Sequence, residues 1–332
     1  MKTMRMGQGG PELPAFGIGA MSFADFYGET TEANSHAVLD AAVEAGVRHV
    51  DTSNVYGMGR SEKAIGSWLK ARSGGREMLH IATKAGITKD AAGKRCYDNS
   101  PEHLEAELDG SLKRLGVEQV DLFYVHRREQ ARPIEEVTQT LAGLVKKGKI
   151  AAFGFSEIAP SSLRRAAAVH PVAAVQSEYS LQTRIVELGL VQACAELGTA
   201  LVAFSPVGRS LLTDHPLSRE AVAASAFMSV NPRFVEPNLT ANLAITDKFR
   251  ALAAEMRVPA AGLSIAWLLS RGEHIIPIPG TRSVDHLREL LAGTKITLSA
   301  TDLARIEEVL PVGWAHGDRY SAAQANGPES YS

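Results

Sequence analysis

Short apolar runs alternate with longer amphipathic segments eight times along this chain, and that alternation constrains its fold more than any other feature. The runs fall at 16–21, 47–51, 79–84, 120–126, 150–156, 173–177, 200–205 and 274–278. Several are apolar on consecutive positions (LVAF, DLFYV, HIIPI), as parallel strands buried on both faces should be. The segments between them carry helix signals. Ser100-Pro101 offers an N-cap and a proline at the first helical position, where a missing N–H is harmless. Leu104, Leu108, Leu112 and Leu115 then share one face, and Gly116 supplies a stop. Similar patterns run from Thr31 to Gly46 and from Pro133 to Gly148. Further helices are predicted at 61–71, 161–168, 185–197, 240–256, 259–270, 284–292 and 299–310.

Strict βα alternation implies a parallel sheet with right-handed crossovers. An open doubly wound sheet would carry a glycine-rich phosphate turn after its first strand. Here Gly17 and Gly19 lie inside that strand and no third glycine completes the motif. The pattern therefore predicts an α/β fold, a (β/α)8 TIM barrel, as one domain over residues 1–332. It would have a short N-terminal hairpin, a long loop at 207–239 after strand 7, and a C-terminal helix and tail. With 35 basic against 37 acidic side chains the chain has no general basic character, which argues against nucleic acid as a partner. No apolar run approaches the ~20 residues that span a bilayer, and residues 1–10 lack the apolar core of a secretory signal. The two cysteines, Cys96 and Cys194, form neither a disulfide framework nor a cysteine zinc site. A cytoplasmic protein with no membrane partner and no metal is the expectation.

Active sites of such barrels lie at the C-terminal ends of the strands. Asp51 ends the second predicted strand, Lys84 the third and His126 the fourth, while Tyr56 follows Asp51 on the loop. Singly, each has a bland reading: a turn cap, a loop phenol, a lysine and a histidine at the barrel top. Jointly they form an apparatus for delivering a proton to a carbonyl oxygen. A free tyrosine has a pKa near ~10, too high for easy proton exchange at neutral pH. A lysine ammonium beside it favours the phenolate and should pull that value down. The lysine needs a counter-charge in a dry pocket, which Asp51 can provide. A neutral histidine can donate one N–H to the carbonyl.

The motifs that hold these residues resemble those of aldo-keto reductases, over nearly the whole chain. GIGAMSF, DTSNVYGMGRSEKAIG, the K-x-G at Lys84, the Y-x-H-R ending at Arg127, and PIPGTR occur in the family's order. The resemblance implies that Asp51, Tyr56, Lys84 and His126 are a catalytic tetrad with Tyr56 the general acid. It implies a nicotinamide dinucleotide, usually NADPH, and a small-molecule carbonyl substrate, in a monomer or weak homo-oligomer. Ser156, Glu157 and Gln176 then correspond to residues that hold the nicotinamide carboxamide. In AFSPVGRSLL, Phe204 stands where a ring stacks on the nicotinamide. Ser205, Val207, Gly208 and Arg209 would surround the pyrophosphate, with Pro206 among the cofactor contacts. In IPIPGTRSVDHLRELL, Gly280, Thr281 and Arg282 are expected to open a phosphate-binding helix, and Arg282 to face a 2′-phosphate. His286 stands where an arginine is frequent and Leu290 where an asparagine is frequent, departures that keep NADH open beside NADPH.

Met21, Phe23 and Tyr27 after the first strand, Arg127 after the fourth and Trp314 in the tail are candidates for the substrate pocket. The three apolar or aromatic residues after the first strand fit the core as well. Arg127 and Arg128 read either as a steering element for an anion or as solvated loop residues, and His49 as a packed side chain. Asn231-Pro232-Arg233-Phe234 resembles a motif of a bacterial and plant branch of the family. The readings that compete with a reductase are a cofactor-sensing binding or accessory protein that keeps the barrel, and a barrel isomerase acting on a sugar phosphate.

Overall fold

The structure, a computed structural model, describes residues 1–331. Eight strands form one parallel sheet in strict chain order. They are β1 (Gly17–Gly19), β2 (His49–Asp51), β3 (His80–Ala85), β4 (Val120–Val125), β5 (Ile150–Ser156), β6 (Ala174–Glu178), β7 (Ala200–Phe204) and β8 (Ile275–Pro277). Every strand centre lies within one of the expected runs. The sheet nearly closes on itself, because the Gly19 N–H donates to the Pro279 carbonyl at 2.9 Å, across from β8 to β1. Glycine is needed at that seam: a Cβ on Gly19 would sit 2.6 Å from the Ile278 carbonyl.

The core has two layers. Ala82, Leu122, Tyr124, Ala174, Val202 and Ile276 fill the barrel interior. Met4, Met6 and Leu13 join that cluster from the antiparallel N-terminal hairpin of Thr3–Arg5 and Glu12–Pro14, which plugs one end. A larger layer packs the outer strand faces against the helices. The helix ends follow their sequence signals. Over Pro101–Leu115, the Ser100 hydroxyl accepts from the His103 N–H at 3.3 Å, and Gly116 takes φ +70° at the stop.

Three features depart from the sequence reading. The predicted helix at 185–197 is a 3-10 turn, Ile185–Glu187, then a helix, Leu190–Leu197, broken where Gly189 turns to φ +120°. An antiparallel hairpin, Ile87–Lys89 with Arg95–Tyr97, projects beyond β3. The long connection after β7 contains its own helix, Arg219–Ala224. The C-terminal tail returns over the barrel mouth. It is held there by Trp314 Nε1 on the Leu181 carbonyl (2.8 Å), Asn231 Nδ2 on the Arg319 carbonyl (2.9 Å) and an Arg128–Glu329 ion pair (2.9 Å). The NPRF segment thus anchors the tail. Among the described residues, no single helix is long and apolar enough to cross a membrane.

Candidate active site

The parallel register brings the strand-end residues together. Lys84 is fully buried and uses all three of its ammonium hydrogens. Its Nζ donates to Asp51 Oδ1, to the Thr52 carbonyl at 2.8 Å and to the Tyr56 hydroxyl at 3.3 Å. Asp51 Oδ2 accepts from Gln176 Nε2 at 2.8 Å. The Tyr56 loop is laid against β3 by backbone bonds, Thr52 N–H to the Ala82 carbonyl (2.8 Å) and Asn54 N–H to the Lys84 carbonyl (3.2 Å). Beyond it, Thr52 and Ser61 hydroxyls meet at 2.7 Å, and Thr83 donates to buried Glu62 at 2.6 Å. The serine and glutamate of the R-S-E stretch therefore lock the loop and do not face the cavity.

His126 completes the group, its ring edge-on to Tyr56 with centroids 5.8 Å apart. Its Nδ1 lies 3.1 Å from the Ser53 hydroxyl, and Nε2 has no protein partner among the described residues. If Ser53 donates to Nδ1, the ring keeps its proton on Nε2, where it can be given to a carbonyl oxygen. Sequence reasoning passed over Ser53, although its place two residues after Asp51 was a usable signal.

Electrostatics assign the resting protonation states. Burial depresses the His126 pKa well below the usual imidazole value, helped by Lys84, Arg127 and Arg95, so the ring is neutral. Burial opposes charge on Lys84, but Asp51 and Tyr56 outweigh it and hold the ammonium above its ordinary range. Burial also pushes Asp51 upward, with Lys84 and Gln176 opposing. The expectation of a lowered Tyr56 pKa is corrected. Burial raises the phenol above its usual value despite Lys84, because Asp51 cancels much of the lysine's charge. At neutral pH Tyr56 is a phenol.

A cavity of about 580 Å³ opens above this group. Asp51, Tyr56 and His126 form part of its wall, with Lys84 just beneath. Ser156, Gln176, Phe204, Ser205, Pro206, Val207 and Arg209 line it in the middle, and Gly280, Thr281, Arg282 and His286 at the far end. There the helix Val284–Ala292 has the expected bounds, with Ser283 as its cap, so that Gly280, Thr281 and Arg282 precede the helix and do not open it. Arg282 donates to the Glu29 carbonyl at 2.7 Å, and His286 stacks on His215 with centroids 5.5 Å apart. Ser205 and Arg209 take left-handed backbone angles (φ +50° and +53°), strain concentrated on the cavity wall.

Other expected residues lie elsewhere. Glu157 is turned away from the cavity wall, accepting from the Glu178 N–H at 2.9 Å and from Arg319 of the tail, so its carboxylate is already occupied. Gly208 is buried off the wall at φ +57°, where a Cβ would lie 2.8 Å from Gln182 Oε1. Phe23 packs in the core, and buried Trp314 points to Leu181. Met21 and Tyr27 do line the cavity. Arg127 and Arg128 are both buried, which removes the solvated-loop reading. His49 is buried, with Nδ1 3.0 Å from His80 Nδ1. Phe227, Tyr320 and Gln324, none singled out from sequence, complete the wall from the strand-7 connection and the tail.

Known proteins of similar sequence and fold agree with this geometry. The family model described as Aldo/keto reductase family matches residues 15–311. The NADP(+) aldo-keto reductase yakc of Schizosaccharomyces pombe is 38% identical over 316 residues, 94% of this chain and 93% of that protein. Probable aldo-keto reductase 1 of Glycine max is 36% identical over 321 residues, 96% of this chain and 92% of that one. The glycerol dehydrogenase AKR11B4 of Gluconobacter oxydans superposes with a TM-score of 0.80 at 25% identity, covering 93% of this chain and 94% of its own.

Proposed function

The chain belongs to the aldo/keto reductase family, and we propose that it reduces aldehydes or ketones to alcohols with a nicotinamide dinucleotide, NADPH ahead of NADH. The residues present fit such a cofactor. The cavity runs from Tyr56 to the start of a nine-residue helix, whose free N–H groups favour phosphate. Phe204 offers a ring face near the middle, and Arg282, which forms no ion pair among the described residues, stands at the helix end. The NADP(+) in the name of the yeast relative supports the preference. The bound cofactor would supply the hydride that attacks the carbonyl carbon.

The chain's own residues would do the rest. His126 Nε2–H orients and polarises the carbonyl oxygen. The Tyr56 hydroxyl gives that oxygen its proton. Lys84 stays charged and stabilises the phenolate left behind, while Asp51 keeps the buried ammonium ionised. The observation that carries this reading is the single buried lysine bonded at once to Asp51 and to the Tyr56 hydroxyl. Tyr56→Phe tests it. The variant should still quench its fluorescence with NADPH, while aldehyde-dependent NADPH oxidation falls by about 10²–10⁴-fold, the range of general acid catalysis. Near-normal turnover would overturn the assignment. Tight NADPH binding by the native protein without turnover of any carbonyl would favour the accessory-protein reading.

A further inference from the structure

Two arginines at the tetrad end of the cavity lack a counter-charge among the described residues. Arg127 is buried, and its Nη1 donates to the His126 carbonyl at 2.7 Å and to Ser156 Oγ at 3.0 Å. Those bonds fix the plane of the guanidinium. The N–H groups on Nε and Nη2 have no acceptor among the described residues, and the side chain forms part of the cavity wall. Arg95, on the hairpin beyond β3, is exposed at the same mouth, with its guanidinium 5.7 Å from the Tyr97 ring and no ion pair among the described residues.

The neighbouring arginines are treated differently. Arg209 pairs with Glu178 at 3.1 Å, Arg128 with Glu329 at 2.9 Å, and Arg319 with Glu157. An uncompensated buried guanidinium is costly, so its retention against the cavity calls for an anion that arrives from outside. The described residues of the cavity wall supply none. Among the described residues its only carboxylates are Asp51, occupied by Lys84 and Gln176, and Glu289, at the far end beside His215. Both arginines share the cavity wall with His126, and after burial and Lys84 they add to the effects that lower its pKa. The cofactor phosphates, on the proposed reading, belong to the opposite end around Arg282.

We propose that the substrate is an anionic carbonyl compound, an aldehyde or ketone bearing a carboxylate or phosphate, with the anion gripped by Arg127 and drawn in by Arg95. This rests on the reductase reading and narrows its substrate. Arg127 offers a pre-oriented fork suited to two oxygens of one anion. Arg95 adds a more exposed charge that salt screens.

The test compares matched pairs with the full-length protein and NADPH. The carboxylate arm is 4-formylbenzoate against its methyl ester, and the phosphate arm is glyceraldehyde 3-phosphate against glyceraldehyde. In the first pair the ester is the more electrophilic aldehyde, so intrinsic reactivity runs against the expected order. In at least one arm kcat/KM should favour the anion by about tenfold or more, the scale of a charged hydrogen-bonded contact. That ratio should collapse in Arg127→Met, survive in part in Arg127→Lys, and fall with added salt less in Arg95→Met than in the native protein. Equal or inverted ratios in both arms, with turnover intact, would overturn the anion site and leave the reductase reading standing. A binding arm separates the two ideas further, using 4-(hydroxymethyl)benzoate and its methyl ester on the NADP+-loaded protein by calorimetry. If no carbonyl is reduced but the carboxylate binds selectively through Arg127, the anion site holds and the reductase reading falls. If binding is also unselective, both fall.

Discussion

Replacing Asp51 by asparagine should expose how much of the site depends on one ion pair. Lys84 has no solvent exposure and Asp51 almost none, and the lysine's other partners are a carbonyl and a phenol, both uncharged. The asparagine can still accept a hydrogen bond but brings no charge. Breaking a buried pair by removing one partner costs about 3–5 kcal/mol, and that is the loss expected at neutral pH. The loss must also depend on pH. In the native protein the Lys84 pKa is raised, so its contribution is present at neutral pH and fades only as pH climbs through that raised value. In the variant the buried lysine should fall below its unfolded value near ~10.4. Folding then releases a proton, and the variant regains stability at up to about 1.4 kcal/mol per pH unit on the way up to that value. The gap between the two proteins should therefore narrow from pH 7 to about 9.5.

The three tryptophans, Trp68, Trp267 and Trp314, are all buried, so fluorescence in urea reports unfolding directly. Asp51→Asn with Lys84→Met is the control. With both charges gone, the double variant should be more stable than Asp51→Asn alone. A gap below about 1 kcal/mol at pH 7, or one that does not change with pH, would refute the reasoning.

Two further outcomes follow from the same physics. His126 has a depressed pKa, so acid should destabilise the fold as the unfolded chain gains a proton below about pH 6.5 that the folded ring refuses. His126→Gln should remove up to about 1.4 kcal/mol per pH unit of that acid loss, measured as urea midpoints at pH 7 and 5.5; an unchanged loss would contradict a neutral imidazole. Glu329→Gln strips the counter-charge from buried Arg128 and weakens the tail's seat, where the Glu329 N–H donates to the Glu157 carbonyl at 2.9 Å and its carboxylate accepts from the Ala159 N–H at 2.8 Å. A destabilisation of about 3 kcal/mol and faster proteolysis of the tail are expected, and a native-like melting curve would show the pair to be dispensable.

The sequence carried most of what βα periodicity and strand ends can encode. Asp51, Lys84 and His126 were legible because parallel strands buried on both faces read as apolar runs, and the polar residue that ends each run must sit on the catalytic rim. Three kinds of fact were not legible. One is competition between distant partners: Glu157 sits correctly at a strand end, but Arg319, 162 residues later, claims its carboxylate. Another is the division of large apolar residues between core and cavity. Phe23 and Tyr27 lie four positions apart on one connection, yet the first packs inward and the second faces the cavity, a choice made by how the loop folds. The third is the balance of opposed electrostatic effects. That Lys84 lies beside Tyr56 was readable; that burial and Asp51 together outweigh it was not.

That balance is what keeps the proton on the proposed donor. A bare ammonium at 3.3 Å would favour the phenolate, but Asp51 pairs with the same ammonium, and both it and burial push Tyr56 upward. Asp51 would then set the donor's acidity as well as hold Lys84 in place. Lys84→Met, which leaves Tyr56 facing an uncompensated carboxylate, should raise that pKa further. The alkaline decline of kcat/KM for carbonyl reduction, which reports loss of the donor's proton from the free enzyme, should accordingly move to higher pH in Lys84→Met. An unmoved decline would mean that desolvation alone governs Tyr56.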